Sequence, residues 1–263
     1  MTDRLDISII LPALNEEKNI GDAIRDCLDA LDQKNLNGEI IAINDGSTDQ
    51  TEAVIRSYME RDPRVRLINH ERPRGVGASY WDGVDHARGN FVVMLPGDNE
   101  NDPMEILRYY SLLNSVDIVI PFVFNKQVRS IFRNALSFIY RFIINTTFMV
   151  NLNYTNGTVL YRKTLLDELE YRSDGFFFQT DILIRTITRG YLFAEVPYRL
   201  GLRSQGVSRA VSFPSLWQVI RGYLRLVRDI KFQPKDSVPK AFVQGSQTAN
   251  RHQVGEKATG GGS

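Results

Sequence analysis

Two carboxylates two positions apart, Asp98 and Glu100, stand in the stretch FVVMLPGDNENDP that runs from Phe91 to Pro103. The apolar run Phe91 to Leu95 reads as a buried strand, and Pro96-Gly97 breaks it and delivers both acids onto one loop. Oxygen donors at that spacing can point at one spot, which suits a hard divalent cation such as Mg²⁺. In open α/β sheets the C-terminal edge of the strands is also where ligands bind. A plain polar turn explains the same residues, with Asp102-Pro103 opening the next helix, so the rest of the chain has to decide between the two.

Three other stretches carry chemistry at equivalent places. After the apolar run Asp6 to Leu11 comes PALNEEKNI, in which Pro12, Asn15 and Glu16 sit between a strand end and a helix start. Asn15 suits a helix cap and the acids suit a positive first turn, and the same group can build one wall of a nucleotide pocket. After the second run, Glu39 to Asn44, comes Asp45-Gly46-Ser47-Thr48-Asp49. Asp49 and Glu52 form a capping-box-like pair. Asp45 is left over from that pair and can read a base or a ribose hydroxyl. Gly75 and Gly77, ahead of the helix that starts at Ala78, resemble a phosphate-cradling turn, although loop and helix packing explains them as well.

The elements that must position these residues alternate regularly. Apolar runs at Asp6–Leu11, Glu39–Asn44, Val65–Asn69, Phe91–Leu95 and Val116–Ile120 are separated by segments of helical period, such as Ile20, Ile24, Leu28 and Leu31. That order predicts an α/β fold built on a mainly parallel sheet with helices on both faces. Shorter elements follow: strands at Thr158–Tyr161 and Phe193–Val196, and a helix over Ile182–Thr188 with Asp181 near its start. From Gln233 the chain turns polar and closes on ATGGGS, so residues 233–263 read as a flexible tail whose end has the composition of an added linker.

Composition narrows the partners. The chain has 263 residues, 43% hydrophobic and 24% charged, enough for one large domain. A net charge of +1 argues against a nucleic-acid binder. The single cysteine, Cys27, rules out an internal disulfide and a cysteine-rich zinc site. No apolar run reaches the roughly 18 residues of a spanning helix. The charge is nevertheless uneven. No acid occurs between Asp117 and Asp167, where Arg129, Arg133 and Arg141 fall, nor between Glu195 and Asp229, where Arg203, Arg209, Arg221, Arg225 and Arg228 fall. Two purely basic segments in a near-neutral chain expect something anionic. Arg129, Arg133, Ser137, Arg141 and Asn145 recur every fourth residue on an aromatic-rich amphipathic helix, and Leu216–Arg228 forms a second one. Each fits a core-packing helix with a solvated face, or a helix lying in a lipid interface with Phe138, Phe142, Trp217 and Tyr223 at the headgroup boundary.

The ordered set PALNEE, NDGSTD, RGVGAS, LPGDNE and FFFQTD resembles the inverting GT-A-fold nucleotide-sugar glycosyltransferases of family two. It is most similar to those that use polyprenyl (dolichyl-type) phosphate as acceptor for mannose or glucose. The similarity runs from about Ile7 to Ser208 and places a transferase domain at residues 1–232 with amphipathic interface helices. It implies that Pro12, Asn15, Glu16 and Asp45 contact the nucleoside. Asp98 falls on the second acid of the family's Asp-x-Asp metal motif and also serves the nucleotide. Glu100 adds a further ligand for Mg²⁺ or Mn²⁺. Asp181 falls on the acid that serves as general base, Arg129 and Arg133 on the basic helix at the lipid-phosphate site, and Arg203 and Arg209 on a late loop that closes over the diphosphates. Two positions depart from the pattern. Pro96 stands where the metal motif has its first Asp, and Asn44 where Asp45 would have an acidic neighbour.

The resemblance thus implies a metal-dependent enzyme that moves a sugar from a nucleotide-sugar to polyprenyl phosphate, peripheral on the cytoplasmic membrane face. A soluble transferase acting on a glycan or protein hydroxyl, and a nucleotide-sugar-binding module without turnover, remain as alternatives. A nucleotidyltransferase would need a Gly-rich basic loop between Leu11 and Ile20, and none is there.

Overall fold

The computed structural model of the chain describes residues 5–125, 131–155, 157–199, 213–232 and 241–259. Strands β1 (Ile7–Ala13), β2 (Gly38–Asn44), β3 (Val65–Asn69) and β4 (Phe91–Met94) alternate with helices α1 (Ile20–Gln33), α2 (Thr51–Met59) and α3 (Val76–His86). Helix α4 (Pro103–Leu107) and a 3₁₀ turn at Tyr110–Asn114 lead to β5 (Ile118–Val123). Then come α5 (Ile131–Phe148), β6 (Leu160–Arg162), α6 (Lys163–Asp167), α7 (Phe178–Thr188), β7 (Phe193–Tyr198), α8 (Phe213–Lys231) and α9 (Gln247–Thr259).

The strands form one seven-stranded sheet in the order β3-β2-β1-β4-β6-β5-β7. Every pairing is parallel except those of the three-residue β6, which runs against both β4 and β5. The expected mainly parallel α/β architecture is present. Because β6 is reversed, the residues that enter it, 157–159, lie at the same edge as the C-terminal ends of β1, β2, β4 and β5.

Strand alternation sends successive side chains to opposite faces. Ile10, Ile41, Ile43, Val92, Met94, Ile118 and Ile120 pack on one side with residues of α3, α5, α7 and α8. Ile7, Ile9, Leu11, Ile40, Ala42, Val93 and Val119 pack on the other with residues of α1, α2 and α4. Residues buried on both faces explain why β1, β2 and β4 read as continuous apolar runs rather than as alternating ones.

The C-terminal segment departs from expectation. Residues 241–259 are not a loose tail: Val243, Ser246, Thr248 and Ala249 are buried. The anchor is Asp117, fully buried just before β5. Its carboxylate accepts from the backbone N–H of Gln247 (2.7 Å) and Thr248 (3.0 Å) and from the Thr248 hydroxyl. It also pairs with Arg162 Nε at 2.9 Å. The start of α9 is thereby capped by a carboxylate, which both satisfies its N–H groups and suits the helix dipole. The Val243 N–H donates to the Tyr191 hydroxyl at 3.1 Å, and the Phe242 ring packs edge-on against Tyr191. Helix α9 carries no apolar stripe, so periodicity gave no sign of this docking.

Candidate functional site at the C-terminal edge of the sheet

The loops that follow β1 and β2 are laced together. Asn15 is not a helix cap: it adopts a left-handed backbone (φ 57°), and α1 begins five residues later. Its N–H donates to Ser47 Oγ (2.9 Å) and its Oδ1 accepts from the Thr48 N–H (2.8 Å). The Glu16 N–H donates to Thr51 Oγ1 (2.8 Å), and its carboxylate accepts from Asn19 Nδ2 (2.7 Å). Asp49 accepts from the N–H groups of Thr51 and Glu17, while Glu52 pairs with Arg56. The anticipated capping-box pair is therefore two separate contacts. Pro12 ties this wall to the next loop, its carbonyl accepting from the Gly97 N–H at 3.0 Å.

Asp45 is buried and already holds several donors. Its Oδ1 accepts from the Arg74 N–H (2.8 Å) and its Oδ2 from the Gly75 N–H (2.9 Å), and His70 Nδ1 lies 2.7 Å from Oδ1. The other ring nitrogen of His70 is 2.8 Å from Asp82 Oδ2. The first task of Asp45 is thus to fix the 70–75 loop, and any nucleoside contact uses what acceptor capacity remains. Asn44, at the family's acidic position, donates its amide to Asn69 Oδ1 (3.0 Å) and accepts from the Ser47 N–H (3.2 Å). A carboxylate there could not make the first of these bonds.

The Gly75-x-Gly77 pair is a packing device. The Gly75 N–H is taken by Asp45. A Cβ on Gly77 would stand 2.4 Å from the backbone of Asp174. Helix α3 and the loop before α7 approach this closely only because residue 77 has no side chain. Gly77→Ala is expected to destabilise the fold by about 1–3 kcal/mol, the usual cost of overpacking. Thermal melting reads this, and an unchanged midpoint would count against the contact.

On the third loop, Asp98 Oδ1 accepts from the Glu100 N–H at 3.2 Å, which closes a short bend between the two acids. Asn99 between them is left-handed (φ 56°) and is held through its amide by Asp26 at 2.9 Å. Asp102 caps α4 by accepting from the Met104 N–H, as the Asp-Pro pair implied. Among the described residues no three acids, histidines or cysteines cluster as a closed metal cage. Two partly exposed carboxylates on one loop still fit Mg²⁺ or Mn²⁺, which take oxygen donors and keep positions for phosphate and water.

Asp181 lies in the first turn of α7 and is 2% exposed. Its Oδ2 receives Arg185 Nε at 2.8 Å. Burial pushes its carboxyl above the usual range, and Arg185 works against that rise. The helix start is held at the same edge by its neighbours. The Thr180 hydroxyl donates to the Thr155 carbonyl (2.9 Å) and lies 2.8 Å from the Tyr140 hydroxyl of α5. Neither contact was legible from the motifs.

Between the C-terminal end of β5 and α5 opens a cleft of about 480 Å³, lined among others by Phe122, Phe124, Ser137, Phe138, Arg141 and Tyr154. Arg141 donates to the Asn153 carbonyl at 3.0 Å, and Glu195 of β7 holds Asn153 by its N–H (2.6 Å) and its amide (2.9 Å). Helix α5 therefore turns its polar stripe inward. Leu136, Phe138, Ile139, Phe142 and Ile143 are exposed, at 44–61%. Helix α8 likewise exposes Leu216, Trp217, Ile220 and Leu224. Tyr223 does not share that surface: it turns inward to Phe148 and to the Thr147 hydroxyl (2.8 Å). Arg129, Arg203 and Arg209 lie outside the described residues, as does the side chain of Arg133.

Residues 8–170 match the family described as glycosyl transferase family 2. The chain belongs to this family. A dodecaprenyl-phosphate galacturonate synthase of Rhizobium johnstonii is 27% identical over 170 residues, 63% of this chain and 50% of that protein. A dolichyl-phosphate beta-glucosyltransferase of Trichomonas vaginalis is 37% identical over 97 residues, 35% of this chain and 30% of that protein. The chain spans half the length or less of these curated relatives. Among solved structures, a mycobacterial protein superposes with a TM-score of 0.66 at 25% identity, covering 85% of this chain and 75% of that one. Glucosyl-3-phosphoglycerate synthase of Mycobacterium tuberculosis, in complex with Mn²⁺, uridine diphosphate and phosphoglyceric acid, gives 0.65 at 23% identity, covering 85% and 78%. The sheet and its flanking helices are thus those of the GT-A fold.

Proposed function

We propose that the protein is an inverting, metal-dependent glycosyltransferase that moves a sugar from a nucleotide-sugar to a polyprenyl phosphate at a membrane surface. The observation that carries this reading is on α5, whose polar residues Ser137 and Arg141 line a cleft at the C-terminal edge of the sheet while Leu136, Ile139, Phe142 and Ile143 are exposed. Two of the relatives are named for polyprenyl-phosphate products or acceptors, which supports a lipid-phosphate acceptor.

In this reading the loops carrying Pro12, Asn15, Glu16 and Asp45 form the nucleoside wall, and Asp98 with Glu100 would hold Mg²⁺ or Mn²⁺. When bound, the cation supplies positive charge to the departing diphosphate. By the resemblance, Arg203 and Arg209 add further charge and Arg129 and Arg133 receive the lipid phosphate. That phosphate is already an anion, so Asp181 orients it and helps exclude water; toward a hydroxyl acceptor the same carboxylate would act as general base. The outward faces of α5 and α8 rest in the headgroup region, where aromatic rings are favoured. Among the described residues no helix is long and apolar enough to cross a membrane.

The test is release of nucleoside diphosphate from candidate nucleotide-sugars with Mn²⁺ or Mg²⁺, in the presence and absence of polyprenyl phosphate. Release that depends on the lipid, with sugar recovered on it, is the expected result. Release that depends only on a soluble hydroxyl acceptor would overturn it. For the membrane contact, replacing both Phe142 and Trp217 by Ser is expected to weaken co-sedimentation with anionic vesicles by at least about tenfold, since burying one such ring is worth about 1.5–3 kcal/mol. Unaltered sedimentation would remove these faces from the interface.

A further inference from the structure

Asp181 is enclosed, 2% exposed, and its environment reaches beyond its own helix. Arg185, one turn along α7, forks between two acids: its Nε is 2.8 Å from Asp181 Oδ2, and one Nη is 2.8 Å from Asp229 Oδ2. Asp229 belongs to α8, the helix that presents Leu216, Trp217, Ile220 and Leu224 outward, yet the Asp229 side chain is itself only 7% exposed. Two further cations attend it, Arg228 at 3.0 Å and Arg225 at 4.0 Å. The guanidinium groups of Arg185 and Arg225 both lie over the Tyr171 ring, which leaves Arg185 little freedom to turn elsewhere. Helix α8 comes this close because residue 222 is glycine: a Cβ there would meet the Phe177 ring at 2.8 Å.

A guanidinium offers a rigid fork of donors, so an acid at each tine fixes its plane. Asp229 supplies the second tine. It also bears on the charge: burial raises the Asp181 carboxyl, Arg185 favours its ionised form, and the second acid at Asp229 opposes Arg185.

We propose that Asp229 is a positioning residue for Asp181, acting through Arg185, which makes α8 a component of the catalytic site as well as of the outward apolar surface. The proposal deepens the transferase reading above and takes the role of Asp181 from it. The groups facing Asp181 predict opposite responses. Removing the charge of Asp229 leaves Arg185 wholly to Asp181, so the carboxyl should titrate at lower pH. Arg185→Lys puts a single ammonium in place of the fork, so the carboxyl should titrate at higher pH.

The experiment is a ¹³C carboxyl titration of the full chain labelled at aspartate, with the Asp181 signal assigned by its loss in Asp181→Asn. Asp229→Asn should move the midpoint down and Arg185→Lys should move it up. Transfer to polyprenyl phosphate should fall in both with the donor KM unchanged, and Asp229→Glu should restore much of it. Midpoints unmoved in both variants, with only the melting temperature lowered, would overturn the proposal and leave Asp229 a structural ion pair. A wild-type protein that transfers no sugar would defeat the transferase reading, while the carboxyl titration would still decide whether the relay exists.

Discussion

Asp98→Ala is expected to reduce kcat by roughly 10²–10³, the cost of removing one preorganised group that acts on developing charge. The fold should survive, because Asp98 is a partly exposed loop residue and contributes no apolar burial. It accepts from the Glu100 N–H within the same bend. Excess EDTA should mimic the substitution. The metal concentration for half-maximal activity should rise in Glu100→Gln, which keeps the bend but loses a charge. Full turnover in EDTA, or a wild-type rate in Asp98→Ala, would remove the metal from the proposal. The same series measures what Pro96 does at the position where the family has its first acid. If two carboxylates suffice, tight nucleotide binding should depend on metal in the wild-type chain.

Asp117→Ala should be the most damaging substitution for stability. It would strand the N–H groups of Gln247 and Thr248 and leave the Arg162 guanidinium, only 15% exposed, without its acid. Leaving one member of such a pair alone typically costs about 3–5 kcal/mol. The loss should appear in urea denaturation and as faster proteolytic release of the segment from residue 241 onward. Asp117→Asn keeps acceptor capacity without the charge and should lie between the two. A change in melting temperature of less than about 2 °C would mean that α9 is held by its other contacts, among them Val243, Phe242 and the Thr248 bond to the Leu192 N–H. Because Asp117 adjoins β5 and Arg162 ends β6, undocking of α9 should also loosen the strands that frame the cleft.

The sequence by itself determined the doubly wound core. Short, uninterrupted β-branched runs such as ISIIL and EIIAI read as strands covered on both faces, and the Pro, Gly and Asp residues that follow them mark the C-terminal strand ends. Asp98, Glu100, Asp45 and Asn15 were legible for that reason: local spacing fixes which strand end each residue occupies. Asp102 as a cap was legible too, since a cap is made by neighbours in the chain.

Only the tertiary structure decided what those side chains touch. Asn15 and Asp49 both suit caps by type, yet Asn15 bonds across 33 residues to Thr48, and Asp49 reaches the Glu17 N–H. The direction in which α5 and α8 turn their faces was equally beyond the sequence. Helical periodicity shows that a helix has two faces but not which one meets the body, and here hydrogen bonds from Tyr140, Arg141 and Asn145 turn the polar side inward. The anchoring of α9 escaped for the same physical reason. One buried carboxylate more than a hundred residues upstream holds a helix with no apolar stripe, and a long-range polar contact leaves no periodic trace in the chain.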